Sequence, residues 1–266
     1  MEIITSLQNQ KVRRLMLLQQ KSSERRAQRL FVAEGMRELG HCVDAGFVVD
    51  TLFYCPSLFN DASEATVFLE SLSDVQKTEV TEQVYAKMAY RGTTEGMIAM
   101  VQTKDRRLDD LELGETPLLV VLEGVEKPGN LGAVLRSADA ANADAVIVCD
   151  PLTDLYNPNL IRSSIGAVFT VPVVACQTDE CIAFLRAKGI QILTAQLQDS
   201  HLYYDTDMRR STAIIMGTES TGLTTQWREA ADAHIRIPMS GRLDSLNVSV
   251  SAAILLFEAV RQRAHE

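Results

Sequence analysis

The chain has 266 residues, 46% of them hydrophobic and 23% charged, a length and composition that suit one large or two modest folded domains and exclude a disordered, collagen-like or disulfide-stapled protein. Its longest apolar runs, such as residues 118–122 and 252–257, are far too short to cross a bilayer. Glu2 precedes no apolar stretch of signal-peptide character, so a cytoplasmic, membrane-free protein is expected.

The net charge of −9 argues against a generic polyanion binder, yet the charge is uneven. Residues 1–40 carry eight Lys/Arg against four acids, leaving +4 there and −13 on the remainder. Such a basic segment is either an electrostatic footprint for nucleic acid or a solvated helix face.

In chain order, residues 9–28 read as one basic helix, with Val12, Leu15, Met16 and Leu18 at its apolar positions. Residues 31–33, 51–54 and 98–101 read as short strands and 36–45 as a helix, together an N-terminal α+β domain. Residues 104–115, with eight charged residues and Gly114, have the composition of a linker. Beyond it, 118–122 is a continuous apolar run of the kind buried on both faces. A helix over 130–142 and a strand over 145–149 follow. Further strands are expected at 190–194, 213–216 and 234–237, with helices at 179–188 and 223–231. This alternation defines an α/β domain with a mostly parallel sheet, whose ligands bind at the carboxyl ends of the strands.

Five cysteines form no C-x-x-C pair, and four histidines no H-E-x-x-H; His234 is a ligand or, more simply, a packing residue, and no metal is expected. Three loops carry unusual chemistry. In residues 123–132 a Pro128-Gly129 turn leads to Asn130, a good helix N-cap, and Gly132, with Arg136 on the helix beyond. On this loop alone a structural turn with a surface arginine is the simpler reading. In residues 216–223 two glycines flank Glu219, which is either a helix-dipole partner or a functional acid. In residues 237–252 Pro238 ends a strand and Ser245 is a credible N-cap for a terminal helix. The stripe Val250, Ala253, Ile254, Phe257 and Val260 of that helix reads as core; Asn247 at its entrance needs polar partners if buried. Neither G-x-G-x-x-G nor G-x-x-x-x-G-K-[ST] occurs, which removes the main support for a nucleotide-dependent oxidoreductase.

Read together as N-L-G-A-V-L-R-S-A-D, G-T-E-S-T-G-L and I-P-M-S-G-R-L-D-S-L-N-V-S-V-S-A-A, the loops resemble, in order and spacing, the three motifs of the SpoU/TrmH family, the RNA ribose 2′-O-methyltransferases of the SPOUT class. The likeness spans Pro117 to about Arg263. Ser220 and Ser251 stand where many relatives have Gly and Ala. The stretches F-V-A-E-G (31–35) and G-T-T-E-G (92–96) are similar to the smaller substrate-binding domain that precedes the catalytic domain in ribosomal-RNA members.

The resemblance implies two domains: an RNA substrate-binding domain over 1–105 and, over 116–266, a methyltransferase domain ending in a trefoil knot, an exception to the rule that chains do not thread loops. It implies S-adenosyl-L-methionine as cofactor, contacted by Gly217, Ile237 and Leu246 and flanked by Thr194, Ala195 and Gln196. It also implies a homodimer joined through the terminal helix. The implied reaction moves a methyl group to a ribose 2′-hydroxyl of RNA, most naturally ribosomal RNA. Arg136 stabilises the alkoxide, and Asn130, Glu219, Ser245 and Asn247 position Arg136, the RNA and the cofactor. A guanidinium with a pKa above about 12 acts here through its charge rather than as a base. The competing reading is an RNA-binding protein that kept this fold and lost catalysis. The intact set Asn130, Arg136, Glu219 and Asn247 speaks against it.

Overall fold

Apolar runs alternating with helical segments build two sheets in the computed structural model, which describes residues 3–90, 95–218, 221–242 and 245–264. The chain divides into one unit of Met1–Lys104 with Leu155–Arg162 and another of Asp105–Asp154 with Ser163–Glu266.

The first unit runs β1 (Ile3–Ile4), α1 (Gln10–Gln20), α2 (Ser22–Gln28), β2 (Leu30–Glu34), α3 (Met36–Asp44), β3 (Val49–Tyr54), α4 (Ala62–Ser71), β4 (Gln76–Val80), α5 (Glu82–Met88) and β5 (Met97–Gln102). Its strands lie in the order β1-β4-β3-β5-β2. β5 runs antiparallel to both neighbours, and the remaining pairs are parallel. The sheet is therefore mixed.

The single basic helix expected over 9–28 is two helices. Lys21 is extended (φ −123°, ψ 118°) between them, and Asn9 caps α1 by accepting from the Lys11 amide. The break has a physical cause in Arg25, which is 3% exposed. Its guanidinium donates to the Leu18 carbonyl at 2.5 Å and the Gln19 carbonyl at 3.2 Å, satisfying acceptors left open where α1 ends. One of the eight basic residues of the segment is thus structural.

Residues 155–162 lie in sequence within the span expected for the second domain but belong to the first unit. The Tyr156 ring stacks on Phe31 (centroids 4.5 Å, 16°), and its hydroxyl donates to the Lys104 carbonyl and accepts from the Lys104 amide, both at 2.9 Å.

Apart from α7 (Pro158–Ser164), of which residues 158–162 belong to the first unit, the second unit comprises β6 (Leu118–Glu123), α6 (Pro128–Ala140), β7 (Ala145–Cys149), α8 (Ala167–Thr170), β8 (Val173–Cys176), α9 (Thr178–Ala187), β9 (Gln191–Ala195), β10 (His201–Leu202), β11 (Thr212–Met216), α10 (Thr225–Ala230), β12 (Ala233–Arg236) and α11 (Val248–Arg263). The sheet order is β10-β12-β9-β11-β6-β7-β8, with every pairing parallel. β6, β7 and β11 are buried at every residue, as central strands of a sheet covered on both faces must be.

The charged stretch expected to be a linker docks on this unit. Leu111 is buried, Leu108 and Leu113 pack against the core, and the Gly114 amide donates to Asp144 at 2.9 Å. Three leucines at 108, 111 and 113 outweigh the charges around them. Among the described residues no helix is long and apolar enough to cross a membrane.

Candidate active site

Parallel strands deliver all their carboxyl-terminal loops to one edge of the sheet, and the chemically unusual loops of this chain are among those loops. A cavity of about 330 Å³ lies beyond β9, β11 and β12, and a second of about 240 Å³ lies beside it, beyond β6; both are lined by Gly217, Thr218 and Val248.

The larger cavity has apolar walls from Met216, Leu223, Ile237, Leu246 and Leu255, and polar groups from Gln196, Thr221 and Ser245. Of the residues singled out for the cofactor, Ala195, Gln196, Gly217, Ile237 and Leu246 line it. Thr194 does not. It is fully buried, and its hydroxyl lies 2.6 Å from His234 Nδ1, its register partner across β9 and β12. That contact accounts for His234 as a packing residue.

Gly217 is required by close approach: a Cβ there meets the carbonyl carbon and oxygen of Gly222 within any permitted contact. The two residues are so near because Thr218 and Gly222 exchange backbone hydrogen bonds of 3.2 and 3.1 Å. Glu219, expected to act in this loop, lies outside the described residues.

The smaller cavity is lined by Gly124, Val125, Glu126, Lys127 and Asn130. Asn130 is not the N-cap of its helix. That position belongs to Lys127, with Pro128 opening the helix, because proline at the first helical position gives up an amide that has no partner there in any case. Asn130 is thereby placed in the first turn, where its Oδ1 accepts from Asn247 Nδ2 at 3.1 Å.

The N-cap of α11 is likewise Asn247 rather than Ser245: its Oδ1 accepts from the Ser249 amide at 3.0 Å and the Ser249 hydroxyl at 2.6 Å. Asn247 is thus exposed and hydrogen-bonded, and Ser245 is left on the cavity wall. Strand β12 stops at Arg236, one residue before Ile237 and two before Pro238.

Arg136 sits exposed on α6 and lines neither cavity of its own chain. The terminal helix also differs from expectation. Val248, Ala252, Leu255, Leu256 and Ala259 are its buried face, whereas Val250 and Phe257 of the expected stripe are each 48% exposed.

One organising residue escaped the sequence reading. Glu123, 5% exposed at the end of β6, accepts from the Thr224 hydroxyl at 2.7 Å and the Thr224 amide at 2.9 Å. It fixes the far end of the 217–223 loop. Its signal was an acid ending an otherwise apolar strand.

A parallel α/β sheet with a strand-end cavity walled by backbone and apolar side chains defines a small-molecule-binding enzyme domain. Its family is more particular. Residues 117–257 match the SpoU rRNA Methylase family, and residues 9–99 match the MRM3-like substrate binding domain. The chain belongs to the SpoU rRNA methylase family.

It is 35% identical over 234 residues (84% of this chain, 95% of the relative) to the 23S rRNA (guanosine-2′-O-)-methyltransferase RlmB of Vibrio cholerae. It is 28% identical over 257 residues (97% and 98%) to the 23S rRNA (guanosine(2553)-2′-O)-methyltransferase RlmP of Bacillus subtilis. Among solved structures it is similar to an AdoMet-bound rRNA methyltransferase from Sinorhizobium meliloti, at a TM-score of 0.89 and 30% identity over 98% of this chain and 97% of that one.

Proposed function

We propose that this protein transfers a methyl group from S-adenosyl-L-methionine to a ribose 2′-hydroxyl of RNA, with ribosomal RNA as its substrate. The observation that carries the reading is the pair of adjoining cavities sharing Gly217, Thr218 and Val248, one suited to the cofactor and one opening on Asn130.

The cofactor fits the larger cavity. Gln196 Oε1 is buried there with no hydrogen-bond partner, an acceptor that an amino or hydroxyl group of a nucleoside satisfies. The apolar walls suit a purine, and the close approach of Gly217 and Gly222 gives the ligand access to backbone groups. When bound, S-adenosyl-L-methionine supplies an electrophilic methyl on a sulfonium. The chain's own groups do the rest. Leu246 and Ile237 exclude water, and Ser245 offers a hydroxyl. Asn247, anchored as helix cap, orients Asn130 at the acceptor side. A guanidinium beside the ribose favours the alkoxide by its charge and holds a neighbouring phosphate, while the proton leaves to water or phosphate.

Arg136 reaches no cavity of its own chain, which supports a homodimer in which it serves the partner's site. The exposed face of α11, with Val250 and Phe257, supplies an apolar surface for that contact. The same reading takes in a knotted chain end, catalytic roles for Glu219 and Ser245 and a cytoplasmic setting, each supported by the resemblance of the loop motifs to the family's. In the same reading the first unit holds RNA through Arg13, Arg14, Lys21, Arg26 and Arg29, all exposed.

Incubating the protein with methyl-labelled cofactor and ribosomal RNA, followed by mapping of alkali-resistant linkages, tests the proposal. Label on ribose 2′-oxygen is expected, and label confined to bases overturns it. Co-refolding Arg136→Ala with Leu246→Arg tests the shared site. About half the dimers are then mixed, each with one intact site, so activity returns to about a quarter of wild type; no recovery in verified mixed dimers assigns Arg136 to its own chain.

A further inference from the structure

At the edge of the second sheet away from the cofactor cavity, three cysteines far apart in sequence come together. Cys149 ends β7 and Cys176 ends β8, and the two are register partners across the parallel pair, so both side chains leave the same face of the sheet. Helix α9 brings Cys181 in its first turns. The three sulfur atoms lie within 4.8 Å of one another. Cys149 and Cys181 are fully buried in the core with Ile147, Phe184 and Leu185, whereas Cys176 is only partly buried and gives the cluster a route to solvent.

We propose that Cys149, Cys176 and Cys181 form a binding site for one thiophilic cation, separate from the methyl-transfer site. Thiolate sulfurs bound to one ion at about 2.3 Å stand about 3.8 Å apart in tetrahedral geometry, a spacing the cluster reaches by small side-chain rotations within its present separation. Three sulfurs with no imidazole select soft or borderline ions, Zn²⁺ or Cu⁺, over Mg²⁺ or Ca²⁺.

The surroundings suit a cation. Asp150, which follows Cys149 and accepts from the Thr178 hydroxyl at 2.7 Å, and Asp179 both bear electrostatically on the Cys176 sulfur. The fourth position that zinc requires, and cuprous ion does not, is left to a water entering beside the partly buried Cys176. Each thiol that ligates releases its proton to solvent, and the cation charge replaces it. No change of oxidation state is involved. A site of this kind ties β7, β8 and α9 together at a sheet edge that ends in the four-residue strand β8.

The test uses the full-length protein kept reduced. In one arm it is titrated with Co²⁺, the spectroscopic stand-in for zinc; in the other, Cu⁺ is offered from its coloured bicinchoninate complex. A sulfur-to-cobalt charge-transfer band saturating at one equivalent per chain and bleached by Zn²⁺ supports a zinc site. Withdrawal of one Cu⁺ per chain without a cobalt band supports a cuprous one. Cys176→Ser, a substitution at the most exposed of the three, is expected to weaken binding at least tenfold while far-ultraviolet circular dichroism stays native. Cys42→Ser, in the other unit, leaves the stoichiometry unchanged. Absence of both signals, or a stoichiometry and affinity that Cys176→Ser does not alter, overturns the proposal. Neither readout depends on methyl transfer, so this site and the proposed activity fail independently.

Discussion

The two units use similar materials to different ends. In the first, β5 runs antiparallel between β2 and β3, so loops leave the mixed sheet at both edges and no single edge collects them. In the second, all seven strands are parallel, and the loops after β6, β9, β11 and β12 gather at one edge, where they enclose the two adjoining cavities. Strand direction decides where chemistry can concentrate. The first unit is left to contribute surface, and its exposed charge is basic near the N-terminus; the second contributes a walled site.

The contrast is broken most severely at the cavity wall. Leu246→Arg places a cation where an apolar wall faces a positively charged ligand and is expected to cost at least about tenfold in cofactor affinity by calorimetry. Arg136→Ala, outside both cavities, leaves that affinity unchanged while methyl transfer falls by about 10²–10³. Equal loss of cofactor binding in both variants would erase the distinction between wall and charge.

Next in size is Gly217→Ala. The added methyl meets the Gly222 carbonyl, so Gly217 and Gly222 must move apart. A loss of about 1–3 kcal/mol in stability is expected, together with weakened cofactor binding. An alanine variant that melts and binds like wild type contradicts the close approach.

In the first unit the arginines divide by burial. Arg25→Ala removes the donor to two α1 carbonyls and is expected to destabilise by about 1–3 kcal/mol, read as a lower melting midpoint, with cofactor affinity intact. Neutralising the exposed Arg13, Arg14 and Arg26 together leaves the midpoint in place and instead flattens the salt dependence of RNA binding, by up to about 0.7–0.9 in log–log slope for each phosphate left without its cation. An unchanged slope assigns these charges to a solvated face.

The smallest effect is one of pH. Glu258 on α11 is held below its ordinary value by hydrogen bonds from Arg261 and then Gln262, and Gln262 in turn donates to the Thr206 carbonyl at 3.1 Å. A carboxyl with a lowered folded pKa stabilises the fold fully above the ordinary carboxylate range, and that contribution disappears as pH falls through the lowered value. The melting midpoint is therefore expected to decline below pH about 4, and less steeply in Glu258→Gln. Identical pH profiles in the two proteins remove Glu258 from the account.

Local chemistry was legible in the chain itself. Continuous apolar runs announced β6, β7 and β11, because strands buried on both faces admit little else. The three loop motifs announced the family, because a glycine such as Gly217 and a capping asparagine such as Asn247 answer to constraints within a few residues. Strand β4, whose sequence Gln-Lys-Thr-Glu-Val is mostly polar, gave no such signal; its pairing with β1 and β3 makes it a strand.

Distant partners were decided by tertiary structure alone. Nothing local ties Glu123 to Thr224, Asn130 to Asn247, Arg25 to the end of α1, or residues 155–162 to the first unit. Cysteines that form no motif at 149, 176 and 181 converge only because β7 and β8 pair in register and α9 covers them. Periodicity reports whether a residue faces a core, and a motif reports what its neighbours in sequence must do. Which groups meet across the fold depends on strand order and register, which here set the contents of both cavities and of the cysteine cluster.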